Sequence, residues 1–159
     1  MQELDYVLYG VEDGIATIRI NRPEVMNVIS RKVYAELDLA FDEAERDGSV
    51  KVVIVSGVGK HFGAGHDIGS RAMRDEMPDY PRDLSATGRL RAMDRGVYFQ
   101  LHDKWRNLSK PTIAAIRGYC IHEYPTQFWE LGIKKAKECL WTGDFVDAAE
   151  AHRLGMVNH

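Results

Sequence analysis

Ala16, Ile18 and Ile20 fall on one side of an extended chain and Thr17 and Arg19 on the other. That period of two is the mark of a half-buried strand, here Ile15 to Ile20. Val7 to Val11 reads as a strand before it, and Glu12-Asp13-Gly14 between them favours a tight hairpin. Asn21-Arg22-Pro23 ends the second strand, because proline has no N–H for a ladder. The period then changes. Val33, Leu37, Ala40, Phe41 and Ala44 recur at helical spacing, while Asp38, Asp42, Glu43, Glu45 and Arg46 fall largely elsewhere. Ser30 is placed to cap the start of this helix and Gly48 to follow its end. An unbroken apolar run within Lys51–Val55 predicts a buried strand. It leads into a glycine-rich stretch, Ser56 to Gly69.

Residues 71–110 are dense in charge, with Pro78 and Pro81 near the start. Their beginning reads as a loop, and Ala86–Asn107 as a helix carrying Leu90, Met93, Val97, Leu101 and Trp105. Arginines and acids alternate there, which fits a solvated face better than an anion-binding patch. Lys110-Pro111 stops the helix. Thr112–Ile116 reads as a second buried strand, and Gly118 opens a tight passage after it. Ile133–Leu140 predicts a short helix. Asp147-Ala148-Ala149-Glu150 has the spacing of a capping box for a last helix running through Leu154 to Gly155. Met156-Val157-Asn158 reads as the start of another strand. The order of strands and helices indicates an α/β fold in a single domain over residues 1–159.

Composition narrows the functions open to the chain. At 159 residues it can hold one domain with a real core, and a formal net charge of −3 argues against a nucleic-acid surface. No apolar run approaches bilayer length, and the acidic start Met1-Gln2-Glu3-Leu4-Asp5 lacks signal-peptide order. Cys120 and Cys139 make neither a metal-ligand spacing nor a disulfide framework, so a reducing, cytoplasmic setting is expected. They read as small buried hydrophobes. His61 and His66 share a loop, but two ligands without a third do not indicate zinc. The chemistry is sought instead in the backbone of the glycine-rich loop. Where no Cβ stands in the way, main-chain N–H groups can approach and stabilise a negatively charged oxygen. The ordinary reading of such a loop, a strand-to-helix connection, stands beside that one.

Several segments resemble the enoyl-CoA hydratase/isomerase, or crotonase, superfamily. Asp13 to Ile18, with Asn21-Arg22-Pro23-Glu24 and Asn27, looks like its opening strand and turn. His61-Phe62-Gly63-Ala64-Gly65-His66-Asp67-Ile68 is similar to its F-x-A-G-x-D loop, and Lys110 to Ile121 to the strand that follows. Lys135 to Glu138 with Thr142-Gly143, then Ala148 to Ala151 with Leu154 to Asn158, resembles its later helices. The resemblance implies a spiral of strand-strand-helix turns around perpendicular sheets. It implies acyl-CoA thioester substrates held with the carbonyl between two backbone N–H groups, the first supplied by His66. Ala64, Gly65, Asp67 and Ile68 would line the acyl-CoA channel, and Glu24, Val25 and Met26 would lie where the turn passes the CoA nucleotide. No separate cofactor is implied, since coenzyme A is part of the substrate, and the assembly implied is a homotrimer or a hexamer of two paired trimers. The reaction implied first is addition of water to a trans-2-enoyl-CoA; isomerisation, thioester hydrolysis and decarboxylation run on the same scaffold, and a non-catalytic acyl-CoA-binding or assembly subunit is the alternative to an enzyme. For Asp67 a helix N-cap is the simpler role, and the His66 imidazole as acid or base is the lesser reading. Tyr119 and Trp129 read as packing residues.

The resemblance breaks after Ile121. The family continues into a glycine triplet carrying the second N–H, then a helix, a strand and two proton-handling glutamates. This chain goes to His122-Glu123-Tyr124-Pro125. It resembles the family again from Trp129-Glu130-Leu131-Gly132, so an internal segment is missing after Ile121, as are the C-terminal helices after His159. A parallel crossover needs about a dozen residues or more, and 122–132 is too irregular to supply one. Three readings follow. The middle turn belongs to the protein but not to these residues; or the protein is truncated and inactive; or Glu123 and Glu130 serve instead. The first is favoured, because a spiral without its middle turn would leave apolar surface bare.

Overall fold

Asp13 and Gly14 both take positive φ, 49° and 80°, and fold the chain into the hairpin that starts the sheet. It joins β1, Val7–Glu12, to β2, Ile15–Ile20, in antiparallel register with Val7 opposite Ile20. Here the protein is seen as a computed structural model that describes residues 4–69, 85–93, 95, 99–121 and 131–159. The chain divides into two compact units, residues 1–121 and 122–159.

In the first unit α1, Arg31–Arg46, crosses over the sheet to β3, Val52–Gly57, which lies parallel to β2. The Ser30 hydroxyl accepts from the Val33 N–H at 3.4 Å, the expected cap. The far end differs from expectation. Asp47 turns extended, and Gly48 takes no left-handed conformation. Asp47 instead closes a local turn by accepting from the Ser49 hydroxyl at 2.7 Å and the Ser49 N–H at 2.8 Å. Those two bonds hold its carboxyl below the usual range.

The core lies between α1 and one face of the sheet. Val33, Leu37, Ala40, Phe41 and Ala44 meet Val7, Ala16, Ile18, Ile20 and Val53, all nearly without solvent contact. Trp105 closes its margin, stacked at 5.1 Å on Phe41, with its indole N–H donated to Asp38 at 3.1 Å. Trp105 belongs to α3, Gln100–Arg106; with α2, Ala86–Met93, it falls within the single helix expected over 86–107. The loop expected before them lies mostly outside the described residues.

Glu36 is a charged residue on the apolar face of α1. It is buried because its carboxylate accepts the N–H groups of Tyr6 at 2.7 Å and Val7 at 3.1 Å, fastening the start of β1 to the helix. Glu36→Ala would strand both donors and should cost about 2–3 kcal/mol in urea unfolding, with Glu36→Gln costing less because it keeps an acceptor.

β4, Thr112–Ala115, pairs in parallel with β3 and ends the sheet in the order β1-β2-β3-β4. It was expected to be buried; every residue of it is exposed, with Ile113 at 53% and Ile116 beyond it at 47%. Its apolar run is a surface suited to further cover, and no strand lies beyond it among the described residues.

The second unit holds α4, Ile133–Thr142, and α5, Ala148–Arg153. Asp147 caps α5 by accepting from the Glu150 N–H at 2.8 Å, but the Glu150 carboxylate turns to Arg153, so only half of the capping box forms. Gly155, at φ 77°, ends it, and residues 156–158 form no strand. Among the described residues no helix is long and apolar enough to cross a membrane, and no metal-binding group of His, Cys, Asp and Glu converges.

Candidate functional site

Asn27 is fully buried in a polar turn, with φ at 55°. Its side-chain oxygen accepts the Arg22 N–H at 2.8 Å, closing the Asn21-Arg22-Pro23 turn on itself. Its amide nitrogen donates to the carbonyls of Val58 at 2.9 Å and His61 at 2.7 Å, at the start of the glycine-rich loop. One side chain thus ties the turn after β2 to the loop after β3. Gly57 is the price of that closeness: a Cβ there would stand 2.2 Å from the His61 carbonyl oxygen and 2.7 Å from the Asn27 amide.

From His61 onward the loop runs between two other segments. On one side Gly63 donates to the Tyr119 carbonyl at 3.0 Å and accepts from the Ile121 N–H at 2.9 Å. On the other, Ala64 donates to the Met26 carbonyl at 3.0 Å, Gly65 accepts from the Ile29 N–H at 2.8 Å, and Asp67 donates to the Ile29 carbonyl at 3.1 Å. His61 binds the 117–119 passage as well, accepting the Tyr119 N–H at its Nδ1 at 3.1 Å and stacking on the Tyr119 ring at 4.6 Å. Gly118, at φ 59°, allows this contact, since a Cβ would lie 2.3 Å from the Lys60 carbonyl oxygen.

The bonds around Ile29 form a parallel bridge with His66. In such a bridge the flanking residues, Gly65 and Asp67, bond to Ile29, and the N–H of His66 itself is directed away from it. Gly65, at φ 86°, bends the chain into this arrangement, and a Cβ there would touch the Ile121 side chain at 3.3 Å. The His66 amide therefore lies on a backbone fixed at both ends, close to where the chain passes Ile121. The imidazole rests against the ring of buried Tyr34, centroids 5.9 Å apart. Burial raises the Cys120 thiol above its ordinary value, which makes it a poor nucleophile.

Asp67 begins no helix, since Ile68 and Gly69 after it are not helical. Its carboxylate is buried and ion-paired to Arg22 at 3.2 Å. Glu24, Val25 and Met26 form an exposed turn next to Ala64, through the Met26–Ala64 bond, and Ile68 is 83% exposed. Trp129, Glu123 and Glu130 lie outside the described residues. Arg22 and Asn27 were visible in the sequence as motif residues without a role; polar residues set at fixed distance around a proline between two apolar elements were the available signal.

A sequence model described as enoyl-CoA hydratase/isomerase matches residues 10–122. The chain belongs to that family. Among its relatives is EchA13 of Mycobacterium tuberculosis, whose name places it with the enoyl-CoA hydratases; it is 34% identical over 202 aligned residues, covering 99% of this chain and 64% of the relative. The 1,2-epoxyphenylacetyl-CoA isomerase of Escherichia coli is 28% identical over 72% of this chain and 41% of its own length. The crystal structure of a probable enoyl-CoA hydratase from Mycobacterium smegmatis superposes with a TM-score of 0.81 at 37% identity, covering 96% of this chain and 70% of that one. The crotonase fold is therefore present, and the chain spans less than two-thirds of the tuberculosis relative.

The same comparisons bear on the break after Ile121. The family match ends at residue 122. The alignment with the tuberculosis relative extends over 202 positions while this chain has only 159 residues, so the relative carries several tens of positions with no counterpart here. β4, which comes shortly before this break, has all its residues exposed, and Ile116 after it is exposed as well.

Proposed function

We propose that this chain binds an acyl-CoA thioester with its carbonyl oxygen at the backbone N–H of His66, and that the reaction served is addition of water to a trans-2-enoyl-CoA. The observation that carries the reading is the bridge between Ile29 and His66, which directs that amide away from Ile29 on a backbone held on both sides. A fixed N–H needs no reorganisation as a thioester carbonyl gains negative charge, and so lowers the barrier to an enolate-like state. Ala64, Gly65 and Ile68 would flank the acyl group, and Glu24, Val25 and Met26 the CoA nucleotide. The second N–H and the proton-handling carboxylates are not assigned to residues of this chain. Coenzyme A arrives as part of the substrate, without a further cofactor. The protein would work in the cytoplasm, as a homotrimer or hexamer.

One observation favours a second reading, a non-catalytic acyl-CoA-binding or assembly subunit. The positions without counterpart in this chain are several tens in number, and the family match stops where the second N–H would come. Incubation with crotonyl-CoA separates the two. Loss of the enoyl-thioester absorbance at a rate proportional to protein supports the hydratase. Saturable binding by calorimetry with stable absorbance supports the binding subunit, and the absence of binding overturns both.

A further inference from the structure

We infer that the buried Arg22–Asp67 ion pair sets the direction of the His66 amide, making Arg22 and Asp67 positioning residues of the thioester site; this rests on the function proposed above. The two side chains are only 9% and 6% exposed, and Arg22 Nη1 lies 3.2 Å from Asp67 Oδ2. The same nitrogen donates to the Val28 carbonyl at 2.9 Å. Val28 is the residue before Ile29, and Asp67 is the residue after His66. One guanidinium thus brackets the Ile29–His66 bridge, gripping the chain just before one bridged residue and just after the other. Its own main chain is fixed by Asn27 at 2.8 Å, and its face lies 4.7 Å over the Tyr6 ring, so the grip has a rigid base.

The location is informative because a buried ion pair is a poor source of stability. Its desolvation largely offsets its attraction, and an apolar pair of similar size often serves as well. What a charged pair supplies that an apolar one does not is a defined direction and distance between two backbones. Here those backbones are the ones that aim the amide. Asp67 therefore acts on the substrate through His66 rather than by lining the channel.

The test uses the full chain and a dimethylaminocinnamoyl-CoA thioester, a push–pull chromophore whose absorbance moves to longer wavelength when its carbonyl oxygen accepts hydrogen bonds. Titration gives the Kd, and the bound spectrum gives the polarisation. In Asp67→Asn the Kd should stay within about threefold of the parent, since most acyl and CoA contacts are untouched, while most of the red shift is lost. The double variant Arg22→Met with Asp67→Leu removes the charge without leaving a buried ion unpaired, and should fold and lose the shift likewise. A folded variant of either kind that keeps the full red shift overturns the inference. So does unfolding of both, which would make the pair purely structural. A parent protein that binds the probe without any red shift would remove the oxyanion reading itself, a result distinct from these.

Discussion

Gly57→Ala should yield no folded protein. The added Cβ would meet two backbone oxygens, those of His61 at 2.2 Å and Phe62 at 2.6 Å, and the Asn27 amide at 2.7 Å. None is the free end of a flexible side chain. The His61 carbonyl is itself held by Asn27, so it cannot withdraw without breaking that bond. The expected cost exceeds about 4 kcal/mol, a large part of the ~5–15 kcal/mol that holds a domain together. Soluble yield and a urea unfolding curve read the result. Gly48→Ala is the control: it is exposed, has nothing within 4 Å of the added atom, and should be neutral or stabilising by about 0.5 kcal/mol. Equal behaviour of the two variants would refute the close approach of the turn and the loop.

Asn27→Ala should be the next most damaging change, at about 3–5 kcal/mol. It leaves the buried Arg22 N–H and the part-buried Val58 and His61 carbonyls without their partner. Alanine would also have to hold φ near 55°, where asparagine is tolerated better. Asn27→Asp should not rescue it. The carboxylate could still accept from Arg22 but would face two carbonyl oxygens with nothing to donate. Because the loop from His61 carries His66, both variants should also weaken acyl-CoA binding at temperatures where they remain folded. Denaturation midpoints and a binding titration on the same samples check this. An Asn27→Asp protein as stable as the parent would show that the two donated bonds carry little.

These effects have a common source. The turn Asn21 to Asn27 and the loop Ser56 to Ile68 follow the ends of the parallel strands β2 and β3 and meet through polar side chains and glycine gaps rather than through apolar burial. Their close approach is needed both for the chain to fold and for the fixed direction of the backbone amides at the proposed thioester site.

What the sequence by itself determined is local. The hairpin at Asp13-Gly14, the Ser30 and Asp147 caps and the apolar face of α1 all stand where their spacing put them, because each depends on interactions within a few residues along the chain. The family was legible for a similar reason, since its motifs are short. Only the tertiary structure decided what Asp67 does, because its partner Arg22 lies 45 residues away and nothing near Asp67 announces it. The same holds for Asn27, whose two acceptors lie 31 and 34 residues further on. The exposure of β4 was likewise out of reach: an apolar run records a surface that gains from cover, while whether cover exists depends on what the rest of the chain brings beside it.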